Sequence, residues 1–493
     1  MNNSGLPIAA ALLAIICPLP LAIVNAQKPS SAATQPDRQL RDFDFVVEKI
    51  TTNYAGYDTK VTPERKAELA ALTARLRAGA ATASDEQFEA ILKEWIGFFR
   101  DRHTSINRLG AGSPRPSTAK AVPAITEEQA RTRLEALGTR RDPVEGLWRI
   151  GDNYRVAVLR SDARARRFDA IVLDAKTDGW KPGMVKTELQ RDAGGTLSAI
   201  YLDGSFAEHR LGAEVVAGGD YLRLTGDFGG WMRAWPPVSD PDRVAREAPS
   251  GELFLKRLSP ATLWLRLPDF ASDRTGPVRE LLRAHAVDIA STPNLVIDLR
   301  ENGGGSDFVY APILPLLYTQ PTYSIGIELR ASADNIALRQ KIADEIRVEA
   351  PDSAARVEAQ NKLMRERLGS YIQPNPKPFS ITRLDAVLPS PKRVVVLIDG
   401  AASSGEQFIL DARQSRKVTL MGHRNSAGVL DFANVVSMPT PSGKFELNWA
   451  ISRSLRLPED PVDPDGIAPH IVIPKTERDP VSYARARLER QVD

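Results

Sequence analysis

The sequence predicts an α/β fold: a parallel-sheet core, a helical N-terminal region and a β-rich middle domain, either sandwich or barrel. Three observations predict it. Two apolar runs, Leu263–Leu267 (LWLRL) and Asn294–Arg300 (NLVIDLR), flank an amphipathic segment over 278–291. A strand–helix–strand unit of this kind needs a parallel sheet with a right-handed crossover. Between 148 and 235, short bursts of apolar alternation (YRVAVL, FDAIVLDA, LSAIYL, EVVAG, YLRLTG) are separated by turn pairs such as Asp203-Gly204. That is the texture of an antiparallel sandwich or small barrel. From 42 to 100, apolar residues recur at helical spacing, as in Phe43, Val46 and Ile50, then Leu69, Leu72 and Leu76, then Phe88, Leu92 and Trp95.

The chain has 493 residues, a 26% charged and 42% apolar composition and a net charge of +3. Near balance of charge argues against a nucleic-acid or membrane-surface partner. Residues 1–26 read as a signal peptide: Gly5 to Val24 is almost wholly apolar and Val24-Asn25-Ala26 is a small-residue cleavage site. Pro18 and Pro20 within the run favour cleavage over a membrane anchor. The expected product is exported, periplasmic or secreted, with no stable membrane insertion after cleavage. The single cysteine, Cys17, falls in this segment, and the bulky Ile16 before it argues against lipid attachment. The mature chain then has no disulfide, thiolate metal site or cysteine nucleophile.

The expected domains are a helical region over 27–120, an antiparallel β domain over 140–240 and an α/β core over 250–480 with a helical insertion at 331–370. The helical region ends in FFRDRHTSI (98–106), which places His103 where helix gives way to an extended stretch; Gly110 to Val122 reads as a linker. Trp148, Trp180, Trp231 and Trp235 suit a small β core better than a binding groove, and no peptide-groove loop of a PDZ domain is evident.

The chemistry concentrates around Arg393–Leu410 (RVVVLIDGAASSGEQFIL). A buried strand breaks at Asp399-Gly400, and Ser403, Ser404, Gly405 and Glu406 open a helix. Either serine could cap that helix. Either could also be a nucleophile, because the helix N-terminus offers unpaired N–H groups to a developing oxyanion. Three glycines, Gly303–Gly305, follow the strand NLVIDLR. Successive glycines let N–H groups converge on an anion. No Lys-Ser/Thr of a P-loop follows and GGG is not GxGxxG, so an oxyanion hole is the better reading than a phosphate site.

DLRENGGG, SSGE about a hundred residues later, a strand ending at Gly422 and PDGIAP together resemble the C-terminal-processing (tail-specific) serine peptidase family. The resemblance covers about 250–475 and implies a crotonase-like α/β core acting on peptide or protein substrates. It makes Ser403, the first residue of S-x-x-E, the nucleophile, and assigns the oxyanion hole to Ser404 with Gly304 first and Gly305 beside it. One branch of the family carries a lysine base 25 residues after the serine, where this chain has Gly428; Lys417 comes too early, inside a strand. The other branch, similar to tricorn peptidases and retinoid-binding-protein modules, uses a histidine from the N-terminal region, which His103 in DRHT matches. A neutral imidazole can take a serine proton near neutrality. Asp463 is the implied orienting acid, with Glu459 and Asp465 as rivals, while Asp298 and Arg300 finish a strand. His470 stands in APHIVIP where the family usually carries aspartate.

Two rival functions remain. An α/β-hydrolase esterase would pair Ser403 with Asp463 and either His470 or His423, although GAASSG is not G-x-S-x-G. A crotonase-like binding module could keep the glycine loop without turnover. No metal or other cofactor is expected, since the five histidines are scattered and lack ligand partners at helical spacing. The sequence does not reach the oligomeric state.

Overall fold

The computed structural model describes residues 35–490 except 110–118, 205, 226, 227 and 250. The expected leader at 1–26 therefore lies outside the described residues. The chain divides into two compact units, one formed by 1–109 with 251–493 and the other by 110–250.

In the second unit, eight strands from Gly146–Ile150 to Gly230–Trp235 pair each with the next, and the last pairs with the first. The expected sandwich or barrel is thus a closed antiparallel barrel. Alternation puts one face of each strand inside, where Val156, Val158, Phe168, Val172, Leu222 and Leu224 are buried. Trp148, Trp180 and Trp231 fill this core at 5% exposure or less, and Trp235 is only half-buried.

The first unit is built on a sheet in the order Phe254–Ser259, Thr262–Arg266, Asn294–Asp298, Arg393–Leu397, Val418–Gly422 and Ile471–Val472. Only the first pair is antiparallel. The strands read as continuous apolar runs because both faces are covered. Leu265, Ile297 and Val396 face a cluster that includes Phe408 and Ile409, and the helix Pro480–Arg490 packs across the same strands. The helix expected over 278–291 is two, Thr275–Ala284 and Ala286–Ser291. They part at His285, which leaves helical geometry and turns its ring to Asp288 (Nδ1–Oδ2 3.2 Å).

A second sheet in this unit joins Ser105–Arg108, Phe445–Ser454, Ile327–Arg330 and Tyr371–Ile372, with Phe432–Pro439 also paired to Phe445–Ser454. The N-terminal helices Gln35–Asn53, Lys66–Ala80 and Asp85–Gly97 share a core with it through Phe43, Trp95, Phe99, Phe445 and Trp449. The strand Ser105–Arg108 carries the N-terminal helical region into the sheet that holds Phe432. The insertion consists of two helices packed on each other, Ala333–Ile346 and Pro351–Arg365.

Candidate active site

The site grows from the C-terminal ends of two adjacent parallel strands, where open α/β sheets bind their ligands. Asp298 lies in register with Leu397. Beyond the strands the two loops stay paired: Glu301 N–H donates to the Asp399 carbonyl at 2.8 Å, and Ala402 N–H to the Asn302 carbonyl at 2.8 Å. This pairing lays Gly303–Gly305 alongside Ser403. A Cβ at Gly304 would sit 2.7 Å from the Ser403 Cβ and 2.8 Å from the Ala402 carbonyl oxygen. Gly304 has φ +88°, so this position takes only glycine for reasons of both space and backbone.

Ser403 itself has φ 55° and ψ −121°. A positive φ on a non-glycine residue costs energy and persists only where the surroundings over-determine it. The surroundings here are two hydrogen bonds at the start of the helix Ser404–Ala412: Ser403 N–H donates to Glu406 Oε2 at 3.2 Å, and Glu406 N–H to the Ser403 carbonyl at 2.8 Å. The two serines also differ in what their hydroxyls do. The Ser404 hydroxyl donates to the Gly305 carbonyl at 2.9 Å and so ties the helix to the glycine loop.

The oxyanion donors need one adjustment. Gly304 N–H, the first choice among the glycines, donates to Asn302 Oδ1 at 2.8 Å. Among the described residues, Ser404 N–H, Gly305 N–H and Gly303 N–H have no protein acceptor. Gly304 shapes the pocket by its lack of a side chain, and its neighbours carry the free donors.

His103 follows a turn built by Asp101, whose Oδ1 accepts the His103 N–H at 2.9 Å and whose Oδ2 accepts the Thr104 hydroxyl at 3.0 Å. The His103 Nδ1 lies 2.5 Å from the Phe432 carbonyl oxygen. A carbonyl can only accept, so Nδ1 carries the proton and Nε2 keeps its lone pair. Asp463, the implied orienting acid, has no hydrogen bond to the ring among the described residues. Asp463 Oδ1 accepts Leu430 N–H at 2.6 Å and Asp431 N–H at 3.0 Å, just before Phe432. Burial, with Asp431 and Asp101 nearby, pushes its pKa up to about 7.

Glu406 is the hub that sequence reasoning underrated. Besides Ser403 N–H, its carboxylate accepts the Ser426 hydroxyl (2.6 Å), Gly428 N–H (2.7 Å) and Val429 N–H (2.8 Å). Burial raises its pKa despite these bonds. Ser403 and His103 are therefore both tied to the segment 428–432, one through Glu406 and the other through Phe432. Among the described residues no hydrogen bond joins the Ser403 hydroxyl to the His103 ring. Asn302, fully buried, was also missed: its amide donates to the Leu267 carbonyl at 3.0 Å while its Oδ1 holds Gly304. Asp298 and Arg300 form a buried ion pair with Nη2–Oδ2 at 2.7 Å.

The esterase arrangement does not assemble. His423 spends both ring nitrogens, on Asp399 Oδ2 (3.1 Å) and the Glu477 carbonyl (2.9 Å). His470 Nδ1 accepts Leu420 N–H at 3.1 Å, and Asp463 is bonded to neither histidine. A lysine base is closed off as well. Gly428 has φ +70°, and a Cβ there would lie 2.1 Å from the Pro464 carbonyl oxygen. Lys417 Nζ is spent on the Leu388 carbonyl at 2.7 Å. Among the described residues, no three His, Cys, Asp or Glu side chains come together to hold a metal ion.

Residues 261–473 match peptidase family S41. No curated protein matches the chain. Similar solved structures include mature CPAF (14% identity, 88% of this chain and 92% of that one, TM-score 0.46). The photosystem II D1 C-terminal processing protease is 11% identical over 88% of this chain and 92% of that one, with a TM-score of 0.37. Tricorn protease is 13% identical over 93% of this chain but 37% of its own, with a TM-score of 0.39. Residues 261–473, a little under half of the chain, carry this likeness to the serine-type peptidases of family S41.

Proposed function

We propose that the protein hydrolyses peptide bonds through an acyl-enzyme on Ser403, with His103 as general base. The observation that carries this reading is the strained Ser403 backbone at a helix N-terminus, set against a glycine loop with free N–H donors. Ser403 Oγ attacks the peptide carbonyl carbon as its proton passes to His103 Nε2. The carbonyl oxygen becomes an oxyanion held by Ser404 N–H together with Gly305 or Gly303 N–H, a donor set whose members typically contribute about 10²–10³ each in turnover. The C–N bond then breaks and the amine leaves with the proton from His103. Water, deprotonated by the same imidazole, releases the acid and restores the serine. The Phe432 carbonyl supports this role by holding the ring in the tautomer a base needs.

The test is digestion of an unfolded protein substrate by wild type, Ser403→Ala and His103→Ala, followed by peptide mapping. Wild type should cut and both variants should lose at least about a thousandfold in rate. Undiminished cutting by Ser403→Ala would refute the assignment. Export is a further proposal, supported by the apolar run and Val24-Asn25-Ala26 in residues 1–26. N-terminal sequencing of the mature protein tests it, with Gln27 as the expected first residue.

A further inference from the structure

A cavity of about 430 Å³ flanks the site. Ser403, His103 and Gly303–Gly305 do not line it, but segments next to them supply part of its wall. Asp307 opens the short helix after the glycine loop, Gln407 lies on the Ser403 helix one turn on, and Leu430 and Ala433 belong to the segment that holds His103. Much of the remaining wall is apolar, with Pro312, Leu314 and Ile327 among its residues. The volume is in the range of small-ligand sites and suits a long side chain.

Two acids, Asp307 and Asp411, and two arginines, Arg279 and Arg456, line the cavity. Asp307 is 8% exposed, lines the cavity, and its Oδ1 has no hydrogen-bond partner among the described residues. Buried carboxylate oxygens are nearly always paired, so an unpaired one on a residue that lines a cavity leaves room for a donor supplied from outside. Asp411, also on the wall, is satisfied by Gln407 (3.1 Å), Ser324 (3.2 Å) and Tyr310 (3.3 Å). Arg456 Nη2 pairs with Asp431 at 2.9 Å while its Nε has no partner among the described residues, Arg279 is exposed, and neither is hydrogen-bonded to Asp307. Burial, with Asp411 nearby, pushes the Asp307 carboxyl up to about 7 against the lowering effect of the Ser404 and Tyr310 hydroxyls.

We infer that this cavity is a specificity subsite that takes a lysine-like side chain of the substrate, its aliphatic stem on the apolar wall and its ammonium on Asp307. The inference rests on the Ser403 reading for its link to catalysis, while the binding chemistry stands on the cavity alone.

The test uses the full chain at pH 8 with two probes of equal length, n-butylamine and 1-butanol, and ligand-observed NMR to measure affinity. The amine should bind about 10- to 100-fold tighter than the alcohol, the range of a charged hydrogen bond to a buried carboxylate. Asp307→Asn should remove most of that difference by weakening the amine. Equal affinities in wild type would overturn the inference whether or not the variant folds, as would an unchanged amine affinity in a folded Asp307→Asn. Fluorophosphonate labelling of Ser403 in the same preparation separates the two claims. Labelling with equal probe affinities removes the subsite and leaves the nucleophile. Amine selectivity without labelling removes the nucleophile and leaves a cation site.

Discussion

Asp463→Asn separates two ways of holding His103. In a Ser-His-Asp triad, changing the acid to its amide lowers turnover by about 10⁴, because the imidazole settles in the wrong tautomer. Here the Phe432 carbonyl fixes the tautomer, and Asp463 Oδ1 instead holds the N–H groups of Leu430 and Asp431 at 2.6 and 3.0 Å. An asparagine carbonyl can accept the same two bonds. The loss of charge is also small, since a carboxyl pushed up to about 7 is already about half neutral at pH 7. The remaining cost is a charged acceptor replaced by a neutral one, about 1 kcal/mol, or no more than about tenfold in rate. The assay is the second-order rate of Ser403 acylation by a fluorophosphonate at pH 7, beside the urea midpoint. A loss of a thousandfold or more with an unchanged midpoint would show that Asp463 orients the ring after all and refute the reasoning.

The other predictions concern the framework. Glu406→Gln places an NH₂ group against N–H donors whichever way the amide turns, so it should cost about 3 kcal/mol or more in urea unfolding. It should also slow acylation, because the segment 428–432 loses its anchor. Gly428→Lys should not create a lysine base: its Cβ would lie 2.1 Å from the Pro464 carbonyl oxygen, so loss of the folded transition, read by circular dichroism, is expected. Stability should fall as pH rises from about 4 to 7. Asp307 and Asp463 near 7 and Asp411 near 6 keep protons that the unfolded chain has already released, which favours unfolding throughout that window. His423, raised by its bond to Asp399, acts in the same direction as pH passes its folded value. Urea midpoints at pH 5 and 8 check the sign, and Asp307→Asn should flatten the slope.

Much of this architecture was legible because its signals are local. The runs LWLRL, NLVIDLR and RVVVL are apolar without alternation, which leaves little choice but strands covered on both faces. The serine pair and the glycines announce themselves by the chemistry of contiguous residues, whereas the choice of Ser403 over Ser404 came from the family pattern. Choosing barrel over sandwich needed the pairing of Gly146–Ile150 with Gly230–Trp235, because alternation looks the same in both. The partner of His103 was hidden for a related reason. It is a backbone carbonyl 329 residues away, and any residue type could supply it. An acid close to the last loop was the candidate that the family resemblance implied, yet Asp463 Oδ1 turns to its own neighbours. Asn302 left a trace in its place before three glycines, where a buried amide can pin a loop that has no side chains.

The central claim is that Ser403 and His103 act on one carbonyl. The most direct measurement is fluorophosphonate labelling read by intact mass and peptide mapping in wild type and His103→Ala. A single adduct on Ser403, formed at least about a thousandfold more slowly in the variant, is the predicted result. An adduct on another residue, or equal rates with and without the imidazole, would contradict it.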